Sequence, residues 1–157
     1  MSSTHPDAIR TATAADAAAI AELTHRAFVS QCELYGVTDL PSMADTARTV
    51  LNAMGRGMVL VATLHDQIVG SVRGEMLNGV CLVGRLVVEP ERQGAGIGRA
   101  LASEIEMRFP KAARFEIFTG HLSAGPLHLY ESLGYVRERE QQVSETVTLV
   151  FLSKKAL

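Results

Sequence analysis

The chain has 157 residues, of which 47% are hydrophobic and 20% are charged, and its formal net charge at pH 7 is −2. These values predict one globular domain over residues 1–157, and they exclude the basic surface of a protein that binds nucleic acid or an anionic membrane. Residues 1–10 contain no apolar segment of the signal-peptide type, and the longest apolar run, Met58–Ala62, is too short to cross a bilayer. We therefore expect a cytoplasmic protein.

The cysteines and histidines give no sign of a metal or redox centre. Cys32 and Cys81 are 49 positions apart and show no metal-binding or redox spacing, so we expect two buried free thiols. The five histidines include no i,i+4 pair and no cysteine companion. No metal site is predicted.

The N-terminal part of the chain predicts a short strand and a helix. The strand is Ile9–Thr11. Thr13 followed by Asp16 forms a capping-box pattern, which is typical of a helix N-terminus. The helix that follows carries apolar residues at helical spacing, from Ile20 to Phe28.

A second helix is predicted after a repeat of the same capping pattern, Ser42 to Asp45. Its apolar positions extend to Met54, and Gly55 fits the end of the helix.

The hydrophobic period then changes from helix to strand. Met58–Leu64, Ile68–Leu77 and Val80–Val88 are predicted strands, joined by turns at residues 65–67 and at Asn78-Gly79. Such short connections require antiparallel pairing. Val80–Val88 is apolar on both faces, which places it in the centre of the sheet.

The C-terminal part alternates helices and strands. A helix carries apolar residues from Ile97 to Ile105 and ends before Pro110. The elements predicted after it are a strand at Arg114–Thr119, a helix at Leu127–Leu133 with Gly134 at its C′ position, and strands at Tyr135–Arg139 and Val143–Leu152. The chain therefore predicts an α+β fold with a mixed, mostly antiparallel sheet of about seven strands and about four helices.

Three glycines stand between the central strand and the helix after it: Gly94, Gly96 and Gly98. A strand, a glycine-rich loop and a helix N-terminus together point backbone N–H groups outward, and the helix dipole makes that end a natural phosphate site. Glycine lets a diphosphate approach without meeting Cβ atoms. Arg99 adds a positive charge in the first turn.

Two common nucleotide motifs do not fit this loop. The dinucleotide fingerprint G-x-G-x-x-G fails because Arg99 stands where its third glycine is required, and no Gly-Lys-Ser/Thr is present. A dinucleotide loop also follows a parallel strand, whereas this loop follows an antiparallel meander. The simpler interpretation, that the glycines only form a turn and bind no ligand, stays open.

Two short motifs resemble signatures of the GNAT superfamily of N-acetyltransferases. The stretch Gln93–Gly98, QGAGIG, matches the acyl-CoA loop Q/R-x-x-G-x-G/A, and Val88-Glu89-Pro90 precedes it as in many members. The stretch Leu129–Tyr135, LYESLGY, matches L-Y-x-x-x-G-F/Y. The predicted element order is similar to that of the family over nearly the whole chain.

The resemblance implies a transfer of the acetyl group of acetyl-CoA to a primary amine by direct attack. It implies that Leu86, Val87 and Val88 pair with the pantetheine arm and that the N–H of Val88 polarises the thioester. Tyr130 matches the tyrosine that protonates the departing CoA thiolate. The residues implied in the diphosphate cradle are Gln93, Gly94, Ala95, Gly96, Ile97, Gly98 and Arg99.

One position departs from the family pattern. Many members carry an asparagine between the fifth strand and the next helix, and this asparagine bonds the pantetheine arm. Ser123 stands in that position here, just before the helix that carries Tyr130, which is called the tyrosine helix below. Ser123 could cap the helix instead.

The acceptor is less defined by the sequence. It is a small-molecule or peptide amine, and its proton requires a base, for which the open candidates are Glu33, Glu75, Glu116, His121 and His128. The segment Phe28–Asp45 is predicted to select the acceptor. The resemblance implies frequent homodimers, and a non-catalytic acyl-CoA sensor or assembly module is the alternative function.

Overall fold

The computed structural model describes residue 6 and residues 8–157. Over these residues one seven-stranded sheet has the order β1-β2-β3-β4-β5-β7-β6. Its strands are β1 (Ala8–Thr11), β2 (Met58–Leu64), β3 (Gln67–Leu77), β4 (Val80–Val88), β5 (Arg114–Gly120), β6 (Val136–Gln142) and β7 (Thr148–Lys155). The helices are α1 (Ala17–Tyr35), α2 (Ala47–Arg56), α3 (Ile97–Met107) and α4 (Ala124–Ser132). The predicted α+β fold class and element order are confirmed.

The first capping box is present and the second is not. The Thr13 N–H donates to the Asp16 carboxylate at 2.7 Å, ahead of a 3-10 turn that leads into α1. Ser42 lies instead in a separate 3-10 turn, and α2 is capped by Thr46, whose hydroxyl accepts from the Thr49 N–H at 3.3 Å. The prediction at Ser42 was wrong because Ser42 belongs to a 3-10 turn that ends at Ala44, before the helix begins at Ala47.

The end of α2 also differs from the prediction. The helix continues through Gly55 to Arg56, and Gly57 takes the position after it. A Cβ at Gly57 would lie 2.2 Å from the Gly74 carbonyl oxygen, so close packing against β3 explains this glycine.

Strands β1 to β4 form the predicted antiparallel meander. Both residues of the Asn78-Gly79 turn have positive φ, as a two-residue hairpin with the twist of its strands requires. Strand β4 lies fourth of seven in the sheet, which confirms its central position. A bulge interrupts its pairing with β3, and there Arg85 takes a left-handed φ of 48°.

Strands β4 and β5 separate from each other part-way along their length. They pair in parallel only where Val80–Leu82 meets Arg114–Glu116. Beyond that point β5 continues to pair with β7 as far as Gly120, while β4 continues to Val88 beside β3. The two strands therefore form a wedge-shaped opening in the middle of the sheet, called the splay below.

The two faces of the sheet are covered by different helices. Helix α3 packs so closely on one face that a Cβ at Gly70 would lie 2.8 Å from Leu101 Cδ1. This α3 face also buries Val72 and Val83. Helices α1 and α2 cover the opposite face, called the α1/α2 face, where Ile20 and Val50 pack on Val59 and Val61 of β2.

The C-terminal elements lie a few residues from their predicted bounds. Helix α4 begins at Ala124, and Gly134 takes its C′ position with a φ of 98°, as predicted. The last hairpin turns at residues 143–147, where the Val143 N–H donates to the Val147 carbonyl at 3.0 Å. Val143 was predicted as the start of the last strand because it is apolar, but it belongs to the turn.

Candidate active site

The loop after β4 has the geometry of an anion cradle. Gly94 and Gly96 have φ values of 83° and 91°, which other residues rarely adopt. Among the residues that the structure describes, none accepts a hydrogen bond from the N–H groups of Gly94 to Arg99. These donors surround the N-terminus of α3, so the loop presents both hydrogen-bond donors and the positive end of the helix dipole.

Side chains hold this loop against β4 and α4. The Gln93 amide nitrogen donates to the Val88 carbonyl at 3.3 Å, which closes the loop on the end of the strand. The Arg99 guanidinium is exposed and donates to the Ser132 hydroxyl at 2.7 Å. Arg99 therefore joins the first turn of α3 to the tyrosine helix, and its guanidinium stays at the rim of the cradle.

Gly98 is the point where β4, α3 and α4 meet. A Cβ at Gly98 would lie 3.4 Å from Leu129 Cδ2 and 3.6 Å from Val88 Cγ2. Unlike Gly94 and Gly96, it has no positive φ, and a Cβ there would make ordinary van der Waals contact with both neighbours. The tyrosine helix is thereby placed beside the end of β4, as the sequence motifs required.

The backbone of Val88 faces the splay. The Glu89 N–H donates to the Val69 carbonyl of β3 at 2.8 Å, and successive residues of an antiparallel ladder point their N–H groups in opposite directions. The Val88 N–H therefore points away from β3, toward the region where β5 has separated. The Val87 side chain is core, packed on Leu23 and Ala27 of α1.

Tyr130 is buried on α4, with 6% of its surface exposed. Its ring lies 6.1 Å from that of Tyr135, and among the described residues its hydroxyl forms no hydrogen bond. Burial raises the pKa of Tyr130 above its ordinary value. The phenol is therefore protonated at neutral pH and carries a proton that it can donate.

Ser123 is used inside the fold. Its hydroxyl lies 2.8 Å from the Tyr35 hydroxyl and donates to the Gln31 side-chain oxygen at 2.6 Å. Although Ser123 takes the N-cap position of α4, its side chain forms no cap hydrogen bond, so the capping interpretation was wrong. The Tyr35 hydroxyl also accepts from the Leu122 N–H at 2.9 Å. This network joins α1 to the loop before the tyrosine helix.

The candidate bases lie in different surroundings. Glu75 pairs with Arg56 at 3.4 Å, and Glu33 is exposed on α1. His121 and His128 are exposed, and Nδ1 of His121 lies within 3.2 Å of the Thr148 N–H.

Glu116 differs from the other candidate bases in position. It is half-buried in the last β5 position that pairs with β4, opposite Leu82. Its neighbours Phe115 and Ile117 belong to the core on the α3 face. Strand alternation therefore puts Glu116 on the α1/α2 face, at the apex of the splay.

A buried ionic cluster that the sequence did not predict lies on the same face. Oδ2 of Asp45 accepts from Arg73 Nη2 at 2.9 Å and from Arg85 Nε at 3.0 Å. Oδ1 of Asp45 accepts from the Thr49 hydroxyl at 3.2 Å, and the Asp45 carbonyl lies 2.7 Å from Nε2 of His25. One carboxylate thus connects the α1–α2 segment to β3 and β4. The available signal was a charged residue inside each of two apolar strands.

The cysteine prediction is confirmed. Cys32 and Cys81 are both buried free thiols. Burial raises the pKa of Cys81 to about 12, which keeps that thiol protonated and unreactive.

A family model decides the relationship of the chain to known proteins. The model of the acetyltransferase (GNAT) domain matches residues 55–137, from the last turn of α2 to β6. The chain belongs to the GNAT acetyltransferase family. The matched region holds the glycine loop, the β4 edge and the tyrosine helix of this acetyltransferase, so the resemblance predicted from the sequence is confirmed. A search of curated protein sequences finds no match.

Solved structures show that this acetyltransferase has the fold of the family. The ribosomal-protein-S18-alanine N-acetyltransferase of Escherichia coli matches with a TM-score of 0.77 at 17% identity, over 94% of this chain and 92% of the other. The PaiA N-acetyltransferase of Thermoplasma acidophilum, in complex with coenzyme A, matches with a TM-score of 0.79 at 16% identity, over 95% and 98%. YncA of Salmonella typhimurium, with acetyl-CoA, matches with a TM-score of 0.74 at 20% identity, over 94% and 92%.

The donor set of the acetyltransferase fits acetyl-CoA as its co-substrate. The N–H groups of Gly94–Arg99 suit a diphosphate, and the free edge of β4 suits an extended amide chain.

In the described part of the chain no helix is long and apolar enough to span a membrane.

Proposed function

We propose that this acetyltransferase transfers the acetyl group of acetyl-CoA to a primary amine by direct attack, with Tyr130 as general acid. The observation that carries the proposal is the meeting of three elements at Gly98: the Val88 end of β4, the N-terminus of α3 and the tyrosine helix. A diphosphate cradle, a free backbone donor and a protonated phenol are thereby held close together.

The loop and the β4 edge bind the co-substrate in this proposal. The N–H groups from Gly94 to Arg99 hold the diphosphate, and Arg99 and Gln93 fix the loop. The backbone of Leu86, Val87 and Val88 receives the pantetheine arm as an additional strand. Ser123 contributes through its network with Tyr35 rather than through a direct contact, because its hydroxyl is already bonded.

Two groups of the chain act on the thioester in this proposal. The Val88 N–H donates to the carbonyl oxygen, where negative charge develops as the amine attacks. The new C–N bond forms as the C–S bond breaks, and Tyr130 gives its proton to the departing thiolate. Burial keeps the phenol of Tyr130 protonated before the reaction begins.

The base stays open among the candidates. An amine with a pKa near ~10.4 must lose a proton before it attacks. Glu75 is paired with Arg56, and Glu116 lies opposite Leu82, six residues or about 20 Å before Val88 on β4 at ~3.3 Å per residue. In this proposal a base nearer to Val88, for which Glu33, His121 and His128 are the remaining candidates, takes the proton from the amine, directly or through a water molecule.

Measurement of CoA release over a panel of amines tests the proposed function. We expect release that depends on both acetyl-CoA and an amine, with the acetylated amine identified by mass spectrometry. Binding of acetyl-CoA without release on any amine would contradict transfer and favour the alternative, a non-catalytic acyl-CoA sensor. Single Gln variants of Glu33, His121 and His128 test the base: the variant of the true base should lose most rate at low pH and less at high pH, where the amine is already neutral.

A further inference from the structure

The Asp45 cluster carries more positive charge than its single carboxylate neutralises. The side chain of Asp45 is 6% exposed, and the guanidinium groups of Arg73 and Arg85 share the same oxygen. Two cations and one anion leave a net charge of about +1 in a half-buried position, which costs desolvation energy unless another anion joins. Burial lowers the pKa of Arg73, which reflects the same cost.

Donors in the cluster are unused. The Nε atom of Arg73 is inaccessible to solvent and has no hydrogen-bond partner, and no other inaccessible side-chain nitrogen or oxygen among the described residues lacks one. Only the Nε of Arg85 donates a hydrogen bond to Asp45, and no described residue accepts one from the two terminal nitrogens of Arg85. These terminal nitrogens form the edge of a guanidinium that binds a carboxylate through two parallel hydrogen bonds.

Space for a ligand adjoins these donors. Gly84 is the direct cross-strand partner of Arg73 and precedes Arg85. Cys81 and Val83 point into the core, so strand alternation puts Gly84 on the α1/α2 face with the cluster. A Cβ at Gly84 would have no atom within 4 Å.

The position of Gly84 connects this space to the reaction. The pairing of β4 with β5 ends at Leu82, so Gly84 lies at the start of the splay. Val88 lies three residues beyond Arg85 on β4, or about 10 Å at ~3.3 Å per residue.

We propose that Arg85, supported by Arg73 and oriented by Asp45, binds a carboxylate of the acceptor, so that the acceptor is a small amino acid. Its amine lies within about 10 Å of that carboxylate, the span from Arg85 to Val88. The inference rests on the proposed function only for where the amine reacts. It also gives the segment Phe28–Asp45 a physical role, because Asp45 is the residue of that segment that positions both arginines.

The test compares acids with their matched neutral amides. Calorimetry with the enzyme–CoA complex measures the binding of free amino acids and of the corresponding amino-acid amides, which carry the same amine. We expect the acids to bind ~10–100-fold more tightly, because a hydrogen bond to a charged group contributes about that factor. Arg85→Gln should remove the difference, and Arg85→Lys should restore part of it.

Arg10→Gln is the matched control. Arg10 lies on β1, the strand at the sheet edge, and its guanidinium pairs with Asp16 at 2.8 Å. Its removal should leave the preference for acids over amides unchanged. Equal binding of acids and amides by the wild-type enzyme would overturn the inference. So would a preference for acids that Arg85→Gln retains, or preferential acetylation of a peptide that has an amidated C-terminus and no acidic side chain. The acid–amide comparison needs no variant, so it stands even if Arg85→Gln does not fold.

Failure of the proposed function would look different. An enzyme that binds acetyl-CoA but releases no CoA with any amine contradicts acetyl transfer. The binding preference for acids over amides, measured without chemistry, would still decide the inference.

Discussion

The two sides of the splay are built in different ways. The proposed CoA side consists of one continuous segment, in which β4, the glycine loop and α3 follow each other between Val80 and Met107. The proposed acceptor side brings together Asp45, Arg73 and Arg85 from three separate elements. Diphosphate binding needs backbone donors at one helix N-terminus, which a short motif encodes, whereas selection of an acceptor needs side chains that only the tertiary fold assembles.

The Asp45 cluster gives the largest expected effect. Asp45→Asn removes the carboxylate that Arg73 and Arg85 share, and leaves two partly buried cations facing each other. We expect unfolding to become easier by ~3–5 kcal/mol. Urea unfolding measures this loss, with Asp16→Asn as the control because Asp16 pairs with a single arginine that is 45% exposed. Equal losses of unfolding free energy in the two variants would contradict the expectation that the buried ion pairs stabilise the fold more than the surface pair does.

The next effect belongs to Tyr130 on α4, the proposed general acid. Tyr130→Phe should lower kcat by about 10²-fold, because it removes the proton donor to the thiolate, and should leave acetyl-CoA affinity nearly unchanged. Tyr135→Phe is the matched control, since it deletes a neighbouring hydroxyl that bonds Glu106 at 3.3 Å. It should cost ~1 kcal/mol of stability and little turnover. Unchanged kcat in Tyr130→Phe would exclude the acid role.

A smaller effect is expected in the glycine loop, where two variants distinguish the cost of a strained backbone from the loss of ligand binding. Gly96→Ala and Gly36→Ala each place a side chain at a positive φ, 91° and 65°, with no atom near the added Cβ. Each should cost ~1–2 kcal/mol of stability without ligand. Only Gly96→Ala should also weaken acetyl-CoA binding, because Gly36 ends α1 outside the loop. Equal acetyl-CoA affinities in the two variants would contradict a diphosphate cradle at Gly96.

The smallest effect is the pH dependence of the stability that the surface pair Arg10–Asp16 contributes. Hydrogen bonds from Arg10 are the main reason that the pKa of Asp16 is lowered from 3.8 to about 2. A lowered pKa stabilises the fold above pH ~3.9, and the stabilisation disappears as the pH falls toward 2. We expect wild type to exceed Asp16→Asn by ~1 kcal/mol at pH 7, since solvent screens this pair. The difference should shrink between pH 4 and pH 2, as followed by urea unfolding; a constant difference would exclude linkage through Asp16.

The same contrast explains what the sequence could predict. The meander, the central β4 and the position of the glycine loop between β4 and α3 follow from local patterns of period and turn residues, and all three are confirmed. The start of α2 was misplaced because Ser42 and Asp45 imitate a capping box, while Asp45 serves as the partner of two distant arginines. Its role depends on pairs 28 and 40 residues apart in the chain, which no local pattern reveals.

Acetyl-CoA binding at the glycine loop is tested most directly by a thermal-shift titration. Acetyl-CoA, free CoA, ATP and NADH are compared side by side, each with wild type and with Gly96→Ala. A ligand at about 100 times its Kd adds ~2.7 kcal/mol, which for a chain of this size raises Tm by about 5–10 °C. We predict this rise with acetyl-CoA and CoA but not with NADH or ATP, and a smaller rise in Gly96→Ala. No rise with either CoA ligand, or an equal rise in both proteins, would contradict the site.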